Sequence, residues 1–224
     1  MPEHPSTLNF DRAQSPSDPP VMAAPARPQF VPLATYALIG MNVAVYVLMV
    51  VSGVSATDPS ADAALRWGAD YGPYTLHGQP WRLFTSMFVH FGIVHIGFNM
   101  YVLYQVGRLT EQLFGRVKYV FLYLATGLVG GLASLLVHPD VVGAGASGAI
   151  FGVYGAFLGL LFVRRHVIPK PAMKAMVQSA TMFLGINLVY GLSSGRIDMS
   201  AHIGGLLSGI VLGWCLTARP QSLA

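Results

Sequence analysis

Six separate apolar runs, each close to the length needed to cross a bilayer, constrain this chain more than any other feature. They fall at Leu33 to Val54 and near 86–107, 117–137, 147–163, 175–192 and 201–217. A helix rises about 1.5 Å per residue, so roughly 20 apolar residues span the hydrocarbon core. Composition agrees: 54% of the 224 residues are hydrophobic and only 10% are charged, against roughly 25% charged in soluble domains. The expected fold is therefore all-α, a polytopic bundle of six transmembrane helices forming one domain over residues 33–217.

The ends read differently. Residues 1–32 hold eight of the fifteen prolines, with Ser, Asp, Gln and two arginines between them. Such a stretch cannot bury a core, and a disordered cytoplasmic tail is expected. It has no apolar h-region, so the first run is expected to act as an uncleaved signal-anchor. Residues 218–224 form a short second tail. The segment 55–85, with Asp58, Asp62, Arg66, Trp67, Asp70, Tyr71, Trp81 and Arg82, is too polar to cross. Its aromatics suggest a structured element at the membrane surface.

The net charge of +4 does not point to nucleic acid, because the basic residues sit at the ends of apolar runs rather than on one face. With the N-terminus inside, the cytoplasmic segments hold ten Lys and Arg and the outer ones hold Arg66, Arg82 and Arg196. That positive-inside bias predicts both termini cytoplasmic, and the expected location is the plasma membrane. The single cysteine, Cys215, excludes an intrachain disulfide and a multi-cysteine metal site. It lies about 20 Å along its helix from the nearest histidine and reads as a small apolar residue.

In this topology the fourth and sixth runs both begin at the outer face, and each opens with a polar group. The fourth opens with Gly145-Ala146-Ser147-Gly148, the sixth with Ser200-Ala201-His202-Ile203-Gly204-Gly205. The plainest role for Ser147 is an N-cap hydroxyl. A serine at a helix N-terminus is also favoured as a developing alkoxide, and flanking glycines admit a substrate backbone. Gly148, Gly152, Gly155 and Gly159 on one helix and Gly205, Gly209 and Gly213 on the other permit close approach. A histidine in a span is costly and a functional candidate by default. Brought together, Ser147 and His202 make a nucleophile and a base, which points to peptide-bond hydrolysis within or beside the bilayer. Asp198, one turn before His202, is the only local acid, so a dyad is expected rather than a triad. Phe151, one turn below Ser147, is placed to stack on the imidazole.

The second run opens His90-Phe91-Gly92-Ile93-Val94-His95-Ile96-Gly97-Phe98-Asn99. His95 and Asn99 share a helix face; as donors they suit a tetrahedral oxyanion, and otherwise a buried polar pair. On a regular helix His90 and His95 lie roughly 140° apart and do not converge. His90 is expected to bond loop backbone. No H-E-x-x-H is present, and neither metal nor cofactor is expected.

Taken together, these residues resemble the rhomboid intramembrane serine proteases. The resemblance runs from about 34 to 217 and rests on Trp81-Arg82, His90, His95, Asn99, Glu111, Gly145-Ala146-Ser147-Gly148 and Ala201-His202-Ile203-Gly204-Gly205. It implies Ser147 as nucleophile and His202 as general base. It also implies His95, Asn99 and the Ser147 amide as oxyanion donors, with Gly145 to Ser147 shaping the pocket. Trp81, Arg82 and Glu111 are implied as scaffold. Phe151 stands where well-studied bacterial members place tyrosine, which keeps the stacking ring and loses the hydroxyl. The implied substrates are single-span membrane proteins, reaching the site near the fifth run (Ala175 to Leu192) under a lid at 193–200.

Two other classes were weighed. An inactive relative that binds membrane clients typically lacks the serine or the histidine; both are present. A transporter or channel would carry paired charges midway through its spans, and none is seen.

Overall fold

The structure is a computed structural model and describes residues 30–194 and 198–218. The Pro-rich stretch to residue 29, the end 219–224 and residues 195–197 of the expected lid lie outside the described residues. Every regular element among those described is helical. In chain order these are α1 (Leu33–Val51), α2 (Ala61–Arg66), α3 (Gly72–Thr75), α4 (Arg82–Thr85) with a 3-10 turn at Ser86–Phe88, and α5 (Ile93–Phe114). They continue as α6 (Arg116–Val137), α7 (Ser147–Arg164), α8 (Lys170–Ser194) and α9 (Met199–Ala218).

Among the described residues, α1, α6, α7 and α9 are each long and apolar enough to cross a membrane. A fifth crossing results if the bent pair Arg82–Phe88 and Ile93–Phe114 is counted as one. Helices suit this role because each satisfies its own backbone hydrogen bonds where no water is available. α8, of 25 residues, carries Lys170 and Lys174 at its start and the uncharged apolar run from Ala175 to Leu192 after them.

The second apolar run departs from the reading as one helix over 86–107. The chain turns by 92° between Phe88 and Ile93. Gly92, at φ +92°, makes that turn, and a Cβ there would strike the Thr57 carbonyl. His90 therefore lies in the bend rather than on α5. Its ring sits 5.1 Å from that of His95, edge to face. The expectation that the two histidines diverge is overturned because it assumed an unbroken helix.

α7 is the central helix. Ala149, Ile150, Phe151, Val153, Ala156 and Phe157 are all buried, as expected for a helix apolar all round and enclosed by others. Among the described residues, α6 and α9 pack on it, and Met173 and Met176 of α8 pack against Phe157, Leu160 and Leu161. Large apolar side chains such as Val51, Val94, Val117 and Leu136 point outward, a surface suited to lipid rather than water.

The segment 55–85 folds into short helices held by Arg82. Its guanidinium donates to the Leu65 and Ala69 carbonyls at 2.8 and 2.9 Å and to Gln79 Oε1 at 2.6 Å. It also lies 4.7 Å from the Trp81 ring and 5.3 Å from that of Tyr74. Arg82 thus gathers the end of α2 and the loop after it, while Trp81 stays half exposed.

Candidate active site

Helices α7 and α9 run parallel with their backbones in contact. A Cβ on Gly205, Gly209 or Gly213 would collide with the carbonyl of Gly148, Gly152 or Ala156 respectively. Each step advances four residues on both helices, so the register is constant. Small residues at that spacing let two spans approach until main chain touches main chain. The contact fixes depth: Gly148 lies level with Ala201, whose carbonyl would be 3.5 Å from a Cβ on Gly148. The turn bearing Ser147 and the turn bearing His202 consequently share one level.

Ser147 is the first residue of α7, and Ala146 occupies the N-cap position without any side-chain cap. The N-cap reading of Ser147 is overturned, because its hydroxyl caps nothing. The loop before it is tied from two sides. The Gly145 amide donates to the Ser86 carbonyl at 2.9 Å, and the Ala146 amide reaches His90 Nε2 at 3.5 Å. Gly145 has φ +129°, and a Cβ there would lie 2.8 Å from His95 Cε1. Glycine is needed for both reasons.

His202 is 4% exposed and lies flat on Phe151, with ring centroids 4.1 Å apart and 13° between planes. Its Nδ1 is buried and meets no hydrogen-bond partner among the described residues. Asp198 is occupied elsewhere, its Oδ1 accepting the Ala201 amide at 3.0 Å. No hydrogen bond joins Ser147 to His202 in this structure, although their turns share one level.

The third side of the site comes from the bend before α5. His90 is fully buried, with Nδ1 3.2 Å from the Phe88 carbonyl. Since a carbonyl only accepts, Nδ1 carries the proton and Nε2 is free to accept from Ala146. His95 shows the reverse assignment. Its Nδ1 accepts the Phe91 amide at 3.3 Å, so neutral His95 carries its proton on Nε2, the edge that faces Gly145. Asn99 donates one N–H to the His95 carbonyl at 3.0 Å and is 4% exposed.

The family model for the Rhomboid domain matches residues 77–219. The chain belongs to the rhomboid family. It is 34% identical over 178 residues to the rhomboid protease GluP of Bacillus subtilis (strain 168), covering 80% of this chain and 34% of that protein. It is 37% identical over 165 residues to RHOMBOID-like protein 6, mitochondrial, of Arabidopsis thaliana, covering 73% and 53%. To the putative rhomboid protease YdcA of Bacillus subtilis (strain 168) it is 28% identical over 146 residues, covering 65% and 71%. This chain thus spans about a third to a half of the length of the first two relatives. With its apolar helices, this rhomboid is a multi-pass membrane protein.

Glu111 of this rhomboid works at the opposite end of the bundle from Ser147. Fully buried, it accepts from the Ala34 amide at 3.0 Å, the Thr35 amide at 2.8 Å and the Thr35 hydroxyl at 2.7 Å. Pro32 offers α1 no side-chain cap, so the carboxylate of α5 caps it from outside. Arg116 pairs with Glu111 at 3.7 Å.

Three contacts at the site had no usable sequence signal: the Ser86 carbonyl under Gly145, the Phe91 amide on His95, and Thr126 against Gly152. A hydroxyl-bearing residue on α6 nests where Gly152 lacks a side chain, a pairing that nothing local to Thr126 announces. Among the described residues no group of three or more His, Cys, Asp or Glu is placed to hold a metal.

Proposed function

We propose that this rhomboid is an intramembrane serine endopeptidase that cleaves single-span membrane proteins through a Ser147–His202 dyad and an acyl-enzyme. One observation carries the reading: the glycine-to-carbonyl register of α7 and α9 sets the serine turn level with a histidine whose ring lies on Phe151. Ser147 is the first residue of α7, and the helix N-terminus favours negative charge there.

In this reading His202 takes the hydroxyl proton as Ser147 attacks the substrate carbonyl, then returns it to the leaving amine. Water activated by the same imidazole hydrolyses the ester. The oxyanion meets His95 Nε2–H, the remaining Asn99 N–H and the Ser147 amide. Gly145 and Gly148 keep the substrate side open, and Gly205 and Gly209 hold the two helices together. His90 positions the loop, while Trp81, Arg82 and Glu111 serve the scaffold. No metal or cofactor takes part.

The topology proposed is six spans in the plasma membrane, with α5 and α8 included, both termini cytoplasmic and the site opening outward. Substrates approach beside α8, the helix that carries the fifth apolar run. A fluorophosphonate probe should label wild type and not Ser147→Ala. Undiminished labelling of that variant would exclude Ser147 as the nucleophile. Single-span reporters in liposomes should be cut by wild type and left intact by Ser147→Ala and His202→Ala.

A further inference from the structure

Asp70 is 3% exposed, lies outside the spans and takes no part in the chemistry above. Its backbone forms a reciprocal antiparallel bridge with Gly143, at 2.8 Å in both directions. Gly143 stands four residues before Ser147. Two residues on, the Gly72 amide donates to the Pro139 carbonyl at 2.8 Å, and a Cβ on Gly72 would crowd that carbonyl at 2.5 Å. The loop that leads to Ser147 is thus fastened along this segment.

The Asp70 side chain does not match the charge it would bear. Oδ1 accepts the Thr75 hydroxyl, but Oδ2 is buried without a hydrogen-bond partner among the described residues. Glu111, the other deeply buried acid, accepts three hydrogen bonds and faces Arg116. Asp70 has no such pairing. Arg82 on α4 acts on it only from a distance, its guanidinium being committed to Leu65, Ala69 and Gln79. Asp198, at the head of α9, adds a like charge. From the α6–α7 loop, His138 and Asp140 are exposed to solvent. A buried carboxylate without a full set of donors is expensive to ionise, whereas the protonated acid is not.

We propose that Asp70 is a positioning residue whose proton keeps the loop before Ser147 fastened, so that acidity on the active-site side tightens the site and ionisation loosens it. The latch stands on Asp70 and Gly143 alone; its effect on chemistry rests on Ser147 being the nucleophile. Burial raises the carboxyl above its ordinary value of 3.8, against the pull of Thr75, the Tyr71 backbone and Arg82. Between that value and the raised one, the folded state holds a proton that the unfolded chain has lost. Stability therefore falls as pH rises across this window and levels off above it.

Two readouts separate the latch from the protease reading. In thermal unfolding of the detergent-solubilised protein from pH 4 to 8, wild type should lose Tm as pH rises, while Asp70→Asn stays flatter and exceeds wild type at pH 8. Thr75→Val, which strips a donor from the carboxylate, should carry the falling limb to higher pH. The ratio of fluorophosphonate labelling rates, Asp70→Asn over wild type, cancels the shared titration of His202. It should be severalfold at pH 8 and approach one as pH falls. Labelling of neither protein, with diverging Tm curves, would sink the nucleophile and leave the latch standing. Parallel Tm curves for wild type and Asp70→Asn, with a labelling ratio independent of pH, would overturn the latch and leave the nucleophile.

Discussion

At the scale of single residues, the site depends on side chains that are absent as much as on those present. Gly145 combines a backbone angle that other residues resist with an approach to His95 too close for a Cβ. Gly145→Ala should displace either the loop or the imidazole, and on the proposed mechanism losing His95 as an oxyanion donor costs about a hundredfold or more in rate. Steady-state cleavage should show that loss in kcat, with Tm little changed. Phe151 contributes a stacked ring. Such aromatic pairs are worth about 0.5–1.5 kcal/mol, so Phe151→Ala should slow turnover by up to about tenfold. Full activity in that variant would remove any role for stacking. The residues proposed for these roles were legible because serine, histidine and glycine are conspicuous in apolar runs. The Nε2–H assignment of His95 was not legible, since it depends on a backbone amide, that of Phe91, which every residue type possesses.

At the scale of elements, the parallel seam between α7 and α9 carries the geometry. Gly205→Val would drive a side chain into the Gly148 carbonyl and should cost on the order of 1–3 kcal/mol. Activity should fall with it, because the same displacement separates Ser147 from His202. Thermal unfolding beside a labelling assay would reveal both effects; a stable, active variant would refute the seam. Glu111→Ala strips three hydrogen bonds from the head of α1. Leaving those donors buried should cost on the order of 3 kcal/mol, read as a lower Tm. The four-residue glycine spacing made this seam readable in the sequence. The 92° bend before α5 was missed for the opposite reason: apolar residues continue through it, and hydropathy does not distinguish a turn from a helix. Gly92 was the available signal.

At the scale of the whole molecule, hydropathy marked the long elements well because burial in lipid is a coarse, cumulative property. It did not register the 92° bend before α5. It was also silent on contacts that cross the chain, such as Asp70 with Gly143, since these follow from tertiary proximity. The proposed topology can be checked directly. A fluorescent protein fused after Ala224 should mature and glow, and an alkaline phosphatase fusion at the same place should be inactive; the reverse pattern would invert the orientation.

The main-chain contact between α7 and α9 has an evolutionary corollary. On the proposed mechanism, two backbones that already touch leave the chain little freedom to adjust the gap between attacking group and proton acceptor. Divergence among chains built on this seam should accumulate at the rim instead, in the outer loops, leaving that spacing alone.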